Sequence, residues 1–517
     1  MKQTGEKRTW NSTIAALHVI AVFLVLPIIY RDFYYDILEV KYYFYLGCAL
    51  VMAGLILGYV LLTVRPKKEL QKLKEKSWRD IFSVTDMAVL VFGVAALIST
   101  LLSPFKWEAF WGNEGRYTGL FLLSVYVIVY FCLTRYLKFK RYFLDLLLIS
   151  GMLVCLFGMT DFFDLDLLGF KEHIRETQRY IFTSFIGNIN TYTALVAVYM
   201  GVAATLFATE TCKIRTAIYY VCTVICFIAM ITGISDNAYL AFMVLFGFLP
   251  LYLLGSRRGL RRYMVLVATF FTVIQLIGVV GNVYADQVVE ISGMFNIIAE
   301  FSKLPLINLA LWAVTAILYV LDYKSGKQNE ALGRWARGGW MALIILAVCA
   351  VLFMLFDVNL AGNAERYGSL SKYLRLDDEW GTHRGYIWRI AIEDYMQLPI
   401  LQKIFGYGPD TFGLLTYFNN LKEMTARYGE LFDSVHNEYL QYFVTIGPIG
   451  CGAYLVILGS SFATLIKNGK ENPLLMAVLF GVLCYSAQAL VNINQPIATP
   501  IMWTVLCIGL AKCREKA

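Results

Sequence analysis

The 517-residue sequence predicts an all-α, polytopic integral membrane protein. About fourteen transmembrane helices (12–14), each long enough for a hydrocarbon core of roughly 30 Å, form a single membrane domain over residues 1–517. One large extracytoplasmic loop, 358–433, carries short helices of its own. Three observations carry this expectation. Hydrophobic residues make up 59% of the chain and charged residues 16%, with a mean hydropathy of +0.61, far from the balance of a water-soluble domain. Apolar runs of about 18–25 residues recur along the whole length. Lysine and arginine gather in alternate loops, as cytoplasmic loops of membrane proteins do.

Taken in order, the first span is 14–30. The basic start Met1-Lys-Gln-Thr-Gly-Glu-Lys-Arg8 suggests a leader, but no small-residue cleavage site follows Tyr30, so the run reads as a retained span. Span 42–64 ends at the basic stretch 65–79, and 84–102 leads outward to a loop at 107–119. Spans 119–134 and 143–160 bracket the basic residues 135–141. Span 184–208 follows an arginine-bearing outer segment, and 216–233 with 237–254 forms a closely spaced pair. Arg257-Arg-Gly-Leu-Arg-Arg262 precedes 263–283, and the basic stretch 324–337 separates 304–321 from 340–357. After the large loop come 435–464 and a second close pair, 474–491 and 496–511. The basic loops and both termini fall on one side, taken as the cytoplasm, while acidic residues favour the other. Such segregation reports orientation rather than a nucleic-acid partner. The eleven cysteines all fall in spans or inner loops, which gives no outer disulfide framework and no metal-type spacing.

The most informative residues lie where the large loop meets a span: Asp433-Ser-Val-His436-Asn437-Glu-Tyr-Leu440, continuing to Gly447-Pro-Ile-Gly450. An ionisable group at the lip of an apolar run is costly and points to function, although a polar cap on a helix is the plainer alternative. Within the loop, residues 384–396 place apolar side chains at 387, 388, 391, 392 and 395, one helical face that should lie on the membrane or against the bundle. The turn Phe405-Gly-Tyr-Gly-Pro-Asp-Thr-Phe412 reads equally as a ligand approach or a helix stop.

Two more outer segments combine arginine with amide or aromatic residues. One is Trp111-Gly-Asn-Glu-Gly-Arg116-Tyr-Thr-Gly119. The other runs from Arg175 through Arg179 to Gly187-Asn188-Ile-Asn190. Singly, each arginine is more often an interfacial anchor. Together with Arg384 they suit a phosphate or pyrophosphate, whose oxygens match the guanidinium fork.

These pieces, in this order, resemble the O-antigen ligase and O-antigen polymerase superfamily of bacterial envelope glycosyltransferases. The resemblance spans about residues 100–465. It rests on Arg116-Tyr-Thr-Gly119, on Arg179 with Gly187-Asn188-Ile-Asn190, on Arg384 with Trp388 and the turn Gly406-Tyr-Gly408, and most specifically on His436-Asn437 with Leu440, Gly447 and Gly450. It implies an O-antigen ligase-like enzyme that moves a glycan from an undecaprenyl-pyrophosphate donor to an acceptor hydroxyl on a glycan, lipid or protein. That chemistry would take place at the outer face of the cytoplasmic membrane, among membrane lipids, with no cofactor, metal or nucleic acid. Arg384, Arg179 and Arg116 are then expected to bind the pyrophosphate, with Trp388, Asn188 and Asn190 lining the substrate site. Preorganised arginines can stabilise that leaving group without a metal. His436 is expected as general base, with Asn437 and Asp433 orienting it or the acceptor.

Of the other histidines, His383 adjoins Arg384 and is a second candidate, while His18 and His173 sit in settings that need no function. The run Asp377-Asp378-Glu379 reads as solvated loop carboxylates and is given no metal. Two rivals share many of these features. A polysaccharide-repeat polymerase of the same superfamily uses the same parts. A lipid-linked oligosaccharide flippase normally keeps its polar groups near the bilayer midplane, whereas here they gather at outer helix ends. No glycine-lysine phosphate loop is present to drive transport.

Overall fold

The computed structural model describes residues 10–63, 81–291, 293–326 and 330–515. The expected basic stretches at 1–8 and 65–79, and part of 324–337, lie outside these residues. Among the described residues the chain is almost entirely helical, and the only sheet is a two-stranded hairpin, β1 (Phe182–Thr183) with β2 (Gly187–Asn188).

A helix stands at each of the fourteen expected spans. They are α1 (Trp10–Leu24), α2 (Ile37–Thr63), α3 (Val84–Leu102), α4 (Leu120–Tyr136), α5 (Tyr142–Phe162), α6 (Ile189–Thr209), α7 (Lys213–Thr232), α8 (Ala238–Leu253), α9 (Arg257–Val283), α10 (Leu304–Ser325) and α11 (Arg334–Asn359). Between α11 and the last spans, the large loop folds into α12 (Trp380–Gln397), α13 (Ile400–Phe405) and α14 (Phe412–Tyr428), followed by a short α15 (Glu438–Thr445). The final spans are α16 (Gly447–Gly469), α17 (Pro473–Gln488) and α18 (Thr499–Arg514). Nine of these helices are long and apolar enough to cross a bilayer outright, and α1, α4, α8 and α17 are shorter apolar helices.

The centre of the bundle is α6, buried on every side. It packs closely on α17 because both carry glycine at the crossing. A Cβ on Gly201 would sit 2.3 Å from the Phe480 carbonyl oxygen, and one on Gly481 would sit 2.8 Å from Val202 Cγ2. Such small residues drive helix association where lipid offers no hydrophobic incentive. Buried charges are compensated in the same spirit. Lys41 Nζ donates to the carbonyls of Leu26 (2.8 Å) and Pro27 (2.9 Å), which the end of α1 leaves without helical donors. Asp86 at the start of α3 accepts from Tyr130 Oη at 2.8 Å and pairs with Arg135 and Arg514, tying the ends of α3, α4 and α18 together.

The structure corrects three details of the sequence reading. Span 435–464 is two helices, broken where Gly447 adopts φ +72° and Pro448 offers no N–H. Residues 184–188 are hairpin, and α6 starts at 189. The helix in the large loop buries Tyr386, Ile387, Ile390, Ala391 and Asp394, leaving Ile392 exposed, because it packs on the loop's own helix α14 through Phe412, Leu415 and Met424.

Candidate active site

The break between α15 and α16 organises the site. It strips helical donors from the Val444 and Thr445 carbonyls, and the glycine turn of the large loop supplies replacements. Tyr407 N–H donates to Val444 O (3.1 Å) and Gly408 N–H to Thr445 O (2.9 Å), while Ser99 Oγ also donates to Thr445 O at 2.6 Å. The approach requires glycine: a Cβ on Gly406, at φ +88°, would meet Thr445 C at 2.3 Å, and one on Gly447 would meet Ile404 O at 2.2 Å. Of its two sequence readings, the turn thus takes the structural one, as a latch holding the loop on α15.

A second latch brings in the loop between α3 and α4. Buried Asp410 accepts from the backbone N–H groups of Asn113 (2.8 Å) and Thr118 (3.0 Å). Between those two residues, Arg116 is carried over Asp433, which it grips with both arms of its fork, Nε to Oδ2 at 3.1 Å and Nη2 to Oδ1 at 2.6 Å.

His436 stands in the loop ahead of α15, outside the spans, half-buried and with φ +52°. A left-handed non-glycine residue costs of order 1–3 kcal/mol and persists only where its neighbours fix it. They do. Trp388 Nε1 donates to Val435 O at 3.0 Å, and Val435 N–H donates to Gln441 Oε1 at 2.9 Å. On the other side, Asn437 caps α15, its Oδ1 accepting from Tyr439 N (3.1 Å) and Leu440 N (3.0 Å).

The imidazole is neutral. Burial first, then the charges of Arg384 and Arg116, push its pKa down to about 3, with Asp433 opposing. Burial alone would raise Asp433, yet the charge and hydrogen bonds of Arg116 hold its carboxyl below the usual range. Arg384 leans over from the first turn of α12, where Nε donates to Val491 O (3.0 Å) and Nη1 to Gly381 O (2.5 Å). Both partners are backbone carbonyls, so its charge has no carboxylate fork; Asp236 acts on it only through space.

The structure therefore brings together Arg116, Arg384, Trp388, Asp433, His436 and Asn437. The other three expected residues stand elsewhere. Arg179 lines a separate cleft of about 730 Å³ with Lys171, Tyr180 and Asp286. Asn188 caps α6 through Asn190 N–H (2.8 Å) and Thr191 N–H (3.4 Å). Asn190 Oδ1 accepts from Ser235 at 2.6 Å, and its carbonyl accepts from Asn492 Nδ2 at 2.8 Å. His383 pairs with Glu379 at 2.9 Å beneath Tyr428. The neighbouring Asp378 is not merely solvated, since it binds both Arg389 and Arg427.

Two features escaped the sequence reading. The connector between α17 and α18 links the site to the start of α6: Val491 receives Arg384 and Asn494 donates to Tyr442 Oη, while Asn492 reaches Asn190. Its amide-rich run Asn492-Ile-Asn494-Gln495 between two apolar spans was a legible signal. Glu438, buried two residues beyond His436, is bound by the hydroxyls of Tyr454 (2.7 Å) and Tyr485 (3.2 Å), and its N–H donates to Ala489 O at 2.8 Å.

Residues 288–455 match the family model described as O-Antigen ligase. No curated protein matches the chain. The match contains Arg384, Trp388, Asp433, His436 and Asn437 and bears out the superfamily resemblance, over a shorter stretch than the residues 100–465 that carried it. The chain is an all-α, multi-pass membrane protein whose residues 288–455 are similar to the O-antigen ligase family, and the match supports a membrane enzyme of the ligase or polymerase type.

Proposed function

We propose that the protein transfers a glycan from an undecaprenyl-pyrophosphate donor to an acceptor hydroxyl at the outer face of the cytoplasmic membrane, without a metal. The observation that carries this reading is the convergence of one neutral histidine and two arginines from segments far apart in sequence. His436 takes the proton of the acceptor hydroxyl as its oxygen attacks the anomeric carbon. The bond from that carbon to the pyrophosphate breaks, and the leaving group keeps the electron pair. Arg384 and Arg116 stabilise the charge that accumulates there.

The electrostatics suit this order of events. In the free enzyme burial, helped by the two arginines, keeps His436 unprotonated and ready to accept. A bound pyrophosphate neutralises them, so the imidazole becomes a stronger base when the donor is in place. Asp433 holds the Arg116 fork in the meantime, and Trp388 and Asn437 act as positioning residues through the loop that carries His436. Arg179, Asn188 and Asn190 have no part in this step: Arg179 lines its own cleft, Asn188 caps α6 and Asn190 is bound by Ser235.

The reading is tested by lipid-linked glycans in a deletion strain. Accumulated long chains support the ligase, accumulated single repeats indicate a polymerase of the same superfamily, and glycan that never faces outward indicates a flippase.

A further inference from the structure

The basic face of the bundle, opposite the candidate active site, holds a groove of about 560 Å³ between α8, α16 and α17, bounded by the start of α11. Its walls are apolar, formed by Phe248, Phe462, Phe480 and Leu483 among others. Two cations stand on it, Arg337 in the first turn of α11 and Lys470 at the end of α16.

Several other cations on this face are held by carboxylates, while Arg258 reaches a backbone carbonyl and Arg262 lies over Phe207. Arg135 and Arg514 are held by Asp86, Arg141 by Glu210, Arg257 by Asp322 and Lys512 by Glu515. Arg337 instead reaches only the Tyr252 carbonyl, at 3.5 Å, and among the described residues no carboxylate lies within ion-pair distance of it or of Lys470. Its guanidinium lies so close over Gly255 that a Cβ there would come 2.2 Å from Nη2.

We propose that this groove binds an anionic glycerophospholipid of the surrounding bilayer. The phosphate lies between Arg337 and Lys470, and an acyl chain runs along Phe248, Phe462, Phe480 and Leu483. Apolar walls alone accept the chain of any lipid, whereas two uncompensated cations at one rim select net negative headgroups. A zwitterionic headgroup brings a cation of its own against them. The site has a structural consequence, because α16 begins at the Gly447 break and α17 ends beside Ala489, whose carbonyl holds α15. Lipid at the opposite ends of these helices braces the frame of the active site. The inference is independent of the proposed transfer reaction.

The test is native mass spectrometry of the purified full chain after equilibration with vesicles of equal phosphatidylglycerol and phosphatidylcholine, alongside thermal unfolding in each lipid. Wild type should retain phosphatidylglycerol in preference, by about fivefold for each cation, and should melt higher with it. Arg337→Gln/Lys470→Gln should retain the two lipids equally and lose the shift. Equal retention by wild type, or undiminished preference in the double variant, overturns the proposal. Should the double variant melt early in phosphatidylcholine, Lys470→Gln alone serves: a preference reduced about fivefold supports the site and an unchanged one overturns it. Stronger retention of added polyprenyl phosphate than of phosphatidylglycerol also overturns it, making the groove a polyprenyl site.

Discussion

The depressed pKa of His436 gives a distinctive pH profile. An ordinary histidine, near 6.5, is about 90% protonated at pH 5.5 and has lost about tenfold of its capacity as a base. At about 3, His436 remains almost wholly neutral there. The difference from 6.5 corresponds to roughly 5 kcal/mol against protonation at 1.36 kcal/mol per pKa unit. The rate constant kcat/KM for the donor reports groups in the free enzyme. It should therefore stay flat from pH 8 down to about 5 when measured with the reconstituted protein and a lipid-linked donor, whose pyrophosphate diester has no proton to lose in that window. Arg116→Gln removes one of the depressing charges and should move the acid limb upward. A wild-type limb near 6.5 that is absent from a His436 variant refutes the electrostatic argument. The same depression affects stability: the neutral imidazole's contribution is complete above pH 6.5 and is lost as pH falls toward 3.

Three further outcomes follow from the geometry. Arg384→Lys keeps the charge but loses the planar fork seated on Val491 and Gly381, so transfer should fall by at least tenfold, while activity should persist in EDTA; full activity in the lysine variant contradicts the fork, and loss on chelation restored by magnesium contradicts metal-free catalysis. Gly406→Ala should lower the unfolding temperature and the activity together, because its Cβ would strike the Thr445 backbone at a residue with φ +88°; an unchanged melting curve refutes the latch. In a background without native cysteines, a cysteine at 375 should react with an impermeant maleimide in intact cells and one at 330 should not; the reverse pattern inverts the orientation.

How much of this was legible in the sequence differs by element. The spans were readable because lipid demands a continuous apolar run for every crossing helix. The break at Gly447-Pro448 was visible as residues but not as a break, since apolarity continues across it; the close packing of the 404–406 turn on Thr445 and Gly447 shows what the break accommodates. His436 and Arg384 were found through residue type and place. Their partnership with Arg116 was not derivable from spacing, as it depends on Asp410 binding a loop nearly three hundred residues earlier in the chain. The roles of Asn188 and Asn437 as helix caps show why an amide at a span end is weak evidence for a ligand, and the α17–α18 connector was passed over because 474–491 and 496–511 were read only as a close pair of spans.

The most direct test of the account is transfer rate and donor affinity measured on one purified preparation of His436→Ala. Loss of a general base typically costs about 10²–10⁴-fold in rate, and the account predicts that loss with donor affinity largely retained, because Arg384 and Arg116 hold the pyrophosphate. Near-normal turnover contradicts His436 as the base, and lost affinity with intact chemistry makes it a binding residue.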